Sequence, residues 1–245
     1  MQNRNGNTPE SWDQTNTIQA AIHNCRLEGV DIKAFRADAC CYQQDTVEYL
    51  ESQRITYYIR AEHSQRLVDA LVDEVQWETV MLGHRKVEVC SFEEEVLGKP
   101  RRIIAYRYQQ NGQLEIFDKN GYRYYAIVTS DIETSPLDCI KTYNQRGCDG
   151  EHHFKELDHD FNFNKMPFDN MEMNTIYLYA MLVSYSLFQK VKNGYSEKLV
   201  FVKREMRLKR FILHFVTLPA KWVKTARRWV LKIFTTKDYR PLYAP

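Results

Sequence analysis

Residues 143–163 read YNQRGCDGEHHFKELDHDFNF and combine a helical apolar pattern with many polar side chains. Phe154, Leu157 and Phe161 recur at intervals of three and four residues, which predicts a helix with one apolar face. The glycines in 147–150 predict a loop before that helix. Glu151 then stands at the helix start, where its carboxylate is held close to the core. A surface helix with a charged first turn has the same residue types.

Helical and strand patterns alternate in the first part of the chain, which is typical of an α/β fold. Asp38 directly follows one of the predicted strands. A carboxylate at the C-terminal end of a strand lies where α/β proteins build their sites, although such a residue often only caps a helix. The predicted helices are 11–28, 46–52 and 64–73, and the predicted strands are 30–37 and 55–61.

The middle of the chain is rich in β-forming residues separated by turn signals at 98–100, 111–112 and 120–121. We interpret it as a β-meander inserted into an otherwise α/β chain. The expected strands are 77–82, 86–92, 102–108, 113–117 and 122–129.

The chain beyond residue 136 is predicted to be helical. Apolar spacing predicts helices over 137–142, 151–160, 174–190, 208–216 and 222–233. Residues 198–237 contain 12 Lys and Arg and a single acid, Glu205, although the net charge of the whole chain is only +2. Such a region suits a polyanionic partner, but a solvated helix face has the same composition.

Composition bears on the cellular compartment. The six cysteines form no Cys-x-x-Cys pair, and the N-terminal residues lack the apolar core of an export signal. The longest uncharged run, 173–189, is short and rich in Asn, Ser, Thr and Tyr, which argues against a membrane span. We therefore expect a reduced, cytoplasmic protein without a membrane partner.

The order of Tyr143, Arg146 and Glu151 resembles the Tyr-x-x-Arg…Glu signature of bacterial insertion-sequence transposases of the DDE type. The resemblance continues through Asp160-Phe161-Asn162 and the basic C-terminal segment, so it covers nearly the whole chain. Arg36-Ala37-Asp38 is similar to the Arg-x-Asp that carries the second acidic residue in that group.

The resemblance implies a partial ribonuclease-H-like α/β core with an inserted β-meander and a helical C-terminal region. The implied parts are 1–75, 76–130, 131–190 and 191–245. Asp38 and Glu151 become catalytic carboxylates that bind Mg²⁺ or Mn²⁺ for cleavage and strand transfer. The implied partner is double-stranded DNA in the nucleoid. Its expected contacts are Tyr143, Arg146, Lys155, Lys203, Arg207, Arg210, Lys224, Arg227 and Arg228.

The chain departs from the family pattern in three places. Four residues separate Arg146 from Glu151 where three are usual, and Asp158 occupies the position of an expected lysine, for which Lys155 is a substitute. Only 37 residues precede Asp38, too few for the strand that carries the first catalytic aspartate. We therefore expect a truncated chain that is inactive alone. Its open strand edge is expected to pair with a missing N-terminal half, or the chain is expected to form a homodimer.

Three alternatives stay open at this point. The chain is also interpretable as a non-catalytic, DNA-binding remnant that dimerises with an intact transposase. Arg146 has a structural interpretation as the ion-pair partner of Asp149 or Asp138. A zinc site is the third alternative, although its ligands lack the usual His-Glu-x-x-His spacing. Those ligands would be His152, His153, His159 and Glu156.

Overall fold

The computed structural model describes residues 8–9, 12–62, 65–73, 76–109 and 121–242. The side chains of 65–66, 73 and 146–152 are outside this description, although their backbone belongs to helices. The chain divides into two compact units, Met1–Asp149 and Gly150–Pro245. None of the described helices combines the length and apolar character that crossing a membrane requires.

The first unit is built on one mixed sheet of six described strands in the order β1-β2-β6-β5-β4-β3. β1 and β2 are parallel, and the remaining neighbours are antiparallel. The strands are β1 Ala34–Ala37, β2 Thr56–Arg60, β3 Glu78–Leu82, β4 Arg85–Val96, β5 Lys99–Gln109 and β6 Tyr122–Thr129. The meander β3–β6 is thus continuous with β2 in a single sheet, and β1 lies at one edge.

Helices cover both faces of this sheet. On one face, Ile22 of α1 (Gln14–Leu27), Leu50 of α2 (Gln44–Ser52) and Leu71 of α3 (Gln65–Asp73) belong to the same buried cluster as Ile59 and Ile103. On the other face, the first turns of α4 (Pro136–Asp160) bury Cys139 and Ile140 against strand residues. Burial on both faces explains why the central strands are rich in β-branched residues.

The second unit contains the last turns of α4, the long helix α5 (Met171–Lys198), α6 (Leu208–Phe215) and a hairpin of β7 (Ala220–Thr225) and β8 (Arg228–Ile233). Asn170 caps α5 by accepting hydrogen bonds from the backbone of Glu172 and Met173. A small core lies behind α5 and α6. Its buried members are Leu199, Val202 and Met206, packed with Tyr195, Phe211 and Phe215.

Two secondary-structure predictions were wrong. The segment predicted as a helix over 222–233 is the β7–β8 hairpin, whose turn has Ala226 and Arg227 at positive φ. The spacing of its apolar residues is compatible with a helix and also with cross-strand pairs such as Val223–Val230. The Trp and Val residues have high β-propensity and favour the strands.

The loop predicted at 147–150 is also absent, because α4 runs without a break from Pro136 to Asp160. Glycine permits a turn but does not impose one, and each helical glycine costs only about 1 kcal/mol relative to alanine. The predicted apolar face is incomplete as well, since Leu157 is buried but Phe154 is 65% exposed.

Several predictions agree with the structure within a few residues. The β1 edge expected from the sequence is present, since β1 pairs only with β2 in the described part of the chain. The strand expected at 113–117 lies outside the described residues. The ribonuclease-H-like core and the four-part division of the chain stay predictions.

Candidate functional site

Asp38 is exposed and follows β1 directly. Its Oδ1 accepts a hydrogen bond from the Cys40 backbone N–H at 3.2 Å, so it caps the short 3-10 turn Ala39–Cys41. The capping interpretation is therefore correct, but it does not exclude a role in a site, because the carboxylate stays accessible at the end of a parallel strand.

Arg36 connects this strand to helix α4. Its Nη1 donates to the carbonyl oxygen of Thr142 at 2.8 Å. A helix-interior carbonyl that accepts a guanidinium proton fixes the strand and the helix relative to each other. The sequence offered Arg36 only as part of a motif and did not indicate this positioning contact.

Tyr143 follows Thr142 in α4 and is 9% exposed. It belongs to the buried cluster that includes Tyr58 and Ile140, with Tyr106 packed against it. Its ring is therefore largely a core element. The proposed phosphate contact of Tyr143 would have to come from the small exposed part of the side chain.

The other residues of the signature lie further along α4. Arg146 and Glu151 are in this helix, but their side chains, like that of His152, are outside the described residues. Lys155 is described and exposed. The convergence of Asp38 and Glu151 on shared metal ions therefore remains a prediction.

The sequence did not predict a buried polar network between α4 and α5. The Oε2 atom of Glu156 accepts hydrogen bonds from Gln189 Nε2 at 2.9 Å and from the Tyr185 hydroxyl at 3.2 Å. Lys192 Nζ lies 4.0 Å from Glu156 Oε1, and both side chains are less than 5% exposed. Burial lowers the pKa of Lys192, and the nearby Glu156 carboxylate offsets part of that shift.

His153 of α4 joins this network. The His153 ring is hydrogen-bonded through Nδ1 to the Tyr185 hydroxyl. Within the described ranges, no group of three or more His, Cys, Asp and Glu side chains is arranged to hold a metal ion. Asp38 nevertheless supplies accessible, hard carboxylate oxygens, which are the donors that Mg²⁺ and Mn²⁺ prefer.

The predicted DNA-contacting cations of the second unit fall into two groups. Arg207 forms a bidentate pair with Asp160, at 2.8 and 3.0 Å, and so stabilises the end of α4. The others are exposed on the segment before α6, on α6 itself and on the hairpin. They are Lys203, Arg210, Lys224, Arg227 and Arg228.

Comparison with known proteins gives one match. The family model described as transposase DDE domain group 1 matches residues 1–244. A search of curated proteins found no match. A match over nearly the entire chain agrees with the resemblance carried by Tyr143, Arg146 and Glu151. The chain belongs to the family of DDE transposase domains.

Proposed function

We propose that this chain takes part in DNA transposition, in which a transposon end is cut and its freed 3′-hydroxyl is joined to target DNA. In the first step, a water oxygen attacks a phosphodiester phosphorus and the 3′-oxygen leaves as a hydroxyl. In the second step, that hydroxyl attacks a target phosphodiester and displaces another 3′-oxygen. The observation that carries the proposal is the family match over residues 1–244, joined to an accessible Asp38 at a strand end.

Asp38 and Glu151 are the proposed metal-holding carboxylates. DDE transposases generally use divalent metals. When bound, two such cations activate the attacking oxygen and support the leaving oxygen. The protein's part is to hold the carboxylates in position. For Asp38 this positioning comes from the Cys40 N–H and, through β1, from the Arg36–Thr142 contact.

DNA is the proposed partner, and the cations of the signature and of the second unit are its proposed contacts. Arg146 suits a phosphate because its planar guanidinium donates two parallel hydrogen bonds. Lys155 and the exposed cations of α6 and the hairpin would add sequence-independent attraction to the DNA backbone. Arg207 is the exception, because Asp160 already accepts two of its hydrogen bonds.

A specific observation supports the second candidate, a DNA-binding subunit that needs a partner for cleavage. The resemblance requires one more carboxylate than the two assigned here. β1 is an edge strand that lacks a second strand partner within the described ranges. An added strand could pair there through backbone hydrogen bonds and carry the further carboxylate. We expect the chain alone to bind DNA without cutting it.

Metal binding and cleavage test these proposals separately. Replacing Mg²⁺ by Fe²⁺ in the presence of ascorbate and peroxide should cut the polypeptide near residues 38 and 151, because hydroxyl radicals form at the bound ion. Asp38→Ala should abolish both cuts, whereas Asp31→Ala, at an exposed aspartate that pairs with Lys33, should keep them. Cuts at unrelated positions would contradict the metal assignment.

A plasmid carrying the transposon ends tests the chemistry. Nicking by the purified chain with Mn²⁺, lost in Asp38→Ala, would identify a complete enzyme. Nicking that requires a second polypeptide would identify the partner-dependent subunit. Failure to bind the plasmid would reject both candidates.

A further inference from the structure

One end of the sheet in the first unit carries a compact group of tyrosines and arginines to which the proposed chemistry assigns no role. We call this group the tyrosine–arginine surface. Its members lie on β2, β4, β5 and β6, on the sheet face that α4 partly covers. They are Arg60, Arg85, Tyr106, Tyr108, Arg123 and Tyr125.

The tyrosine rings form a stack. Tyr106 and Tyr125 are nearly parallel, with ring centroids 4.8 Å apart and an interplanar angle of 7°. Tyr108 extends the stack from Tyr125 at 5.8 Å and 20°, and the hydroxyls of these two residues lie 3.2 Å apart. Burial raises the pKa of Tyr106 to about 12, so its hydroxyl stays protonated at neutral pH.

Three guanidinium groups lie over these rings. Arg60 is 4.9 Å and Arg123 is 5.7 Å from the Tyr125 centroid, and Arg85 is 4.5 Å from that of Tyr108. A guanidinium that stacks on a ring keeps its N–H donors in the plane of the group, where they remain directed at a further acceptor. The rings thus hold Arg60 and Arg85 in place without using their hydrogen-bond donors.

Other arginines of the same sheet show the contrast. Arg101 donates to Glu51, and Arg107 donates to Glu88 at 2.6 Å. Arg60 and Arg85, by comparison, form no ion pair with any carboxylate in the described ranges. Cations that the fold leaves without a carboxylate are the ones suited to an external anion.

The position of the surface relates it to Asp38. Ala37 of β1 lies opposite Ile59 of β2, so Asp38 and Arg60 are the next residues of two parallel strands at the same end of the sheet. Tyr106 packs against the cluster that contains Tyr143. The surface therefore begins beside the proposed catalytic carboxylate and extends away from it across the sheet.

At its far end the surface joins a groove of about 730 Å³. The groove is lined by Arg85, Lys86, Arg107 and Arg123, together with Tyr108. Glu88, the carboxylate in this lining, accepts a hydrogen bond from Arg107. The groove is therefore cationic overall and continues the charge of the surface.

We propose that the tyrosine–arginine surface binds the phosphate backbone of a DNA strand and leads that strand to Asp38. The identity of the partner rests on the proposed function. Contact with phosphates rather than bases follows from the geometry, because the ring faces are occupied by each other and by guanidinium groups. Binding should therefore be independent of sequence and strongly dependent on salt.

The experiment measures the affinity of the full chain for a duplex oligonucleotide at several salt concentrations, without divalent metal. The test variant is Arg60→Gln/Arg85→Gln/Arg123→Gln. The matched control, Lys33→Gln/Arg54→Gln/Lys141→Gln, removes the same charge from exposed residues elsewhere in the first unit. A third variant replaces the three surface arginines by lysine.

The glutamine variant should bind at least tenfold more weakly, and its slope of log K against log salt should be shallower by about 2 to 3, one for each lost phosphate contact. The control should keep the wild-type slope, and the lysine variant should recover most of it. Equal losses in the test and control variants would overturn the proposal, as would an unchanged slope in the glutamine variant.

The proposed function can be judged separately. If the wild-type chain binds DNA and the glutamine variant keeps its slope, the surface proposal fails while the transposase proposal stands. If the wild-type chain binds no DNA, both fail. A circular dichroism spectrum and melting temperature equal to wild type would show that a weakened variant is folded.

Discussion

The two units bury charge in different ways. In the first, the Arg101 side chain is 3% exposed and forms four hydrogen bonds, two to Glu51 and two to the carbonyl oxygens of Val96 and Leu97. In the second, Lys192 lies 4.0 Å from Glu156, whose buried Oε1 atom has no hydrogen-bond partner in the described part of the chain. All three guanidinium nitrogens of Arg101 donate hydrogen bonds, whereas one oxygen of Glu156 accepts none within the described residues.

The two pairs therefore contribute differently to the stability of the fold. A buried cation whose three nitrogens all donate hydrogen bonds fixes one geometry, and Arg101 connects α2 to the turn between β4 and β5. A buried pair with an unsatisfied oxygen does not recover its desolvation cost, so apolar replacements are tolerated. The second pair holds α5 against the same helix whose backbone includes Glu151.

The largest effect is expected for Glu51→Ala. Removing the carboxylate leaves the Arg101 cation buried, and the Tyr57 hydroxyl also loses its acceptor. We expect a loss of about 3 kcal/mol in the free energy of unfolding, measured by urea denaturation. Glu48→Ala in the same helix removes an exposed hydrogen bond from Gln44 and a 3.8 Å contact with Lys99, and it should cost less than about 0.5 kcal/mol. Similar losses in both variants would contradict the role of Arg101.

The double replacement Lys192→Met/Glu156→Gln tests the second pair. Either single replacement should cost about 2 kcal/mol, because a buried charge or polar group remains without its partner. The double variant should recover most of that loss. The corresponding double replacement Arg101→Met/Glu51→Gln should not recover, because the carbonyls of Val96 and Leu97 also lose their donor. Equal recovery in both units would remove the distinction between them.

Asp131 provides a pH test within the first unit. Burial opposes its ionisation, but hydrogen bonds from Thr134, Tyr58 and Glu133 lower its pKa to about 2. Its folded pKa is therefore below the unfolded value near 4, so its stabilisation is complete above about pH 4 and is lost as the pH falls towards 2. We expect Asp131→Asn to cost about 1 kcal/mol at pH 7 and to flatten the stability profile between pH 4 and 2. An unchanged profile would exclude this role.

The smallest effect is expected for Arg207→Gln. Its guanidinium is 48% exposed, and such pairs contribute little, although the Asp160 side chain that it contacts is fully buried. Stability should fall by about 0.5–1 kcal/mol in thermal denaturation. DNA affinity should change less than it does in Lys224→Gln, because Arg207 is already engaged by Asp160. A larger loss of DNA affinity in Arg207→Gln would show that this arginine leaves Asp160 to bind phosphate.

Much of the fold was predictable because local patterns agree with tertiary packing. Apolar alternation located β2 and β6, and amphipathic spacing located α3 and α6. The hairpin β7–β8 was missed because its apolar spacing is compatible with both periods, and only cross-strand pairing selects one of them. The continuous α4 was missed because glycine adopts both positive and negative φ, so its presence in the sequence does not show whether a helix continues through it.

The amino-acid sequence alone determined the family, because the motif of Tyr143, Arg146 and Glu151 is defined by residue type and order along the chain and needs no structure to be recognised. It also placed Asp38 at a strand end. The tertiary structure decided which charges form ion pairs within the chain and which do not. Arg101, Arg207 and Arg60 look alike in sequence, yet Glu51, Asp160 and the Tyr125 ring give them different surroundings. The physical reason is that the interactions of a charged side chain depend on residues that are distant in sequence, and only folding brings those residues close to it.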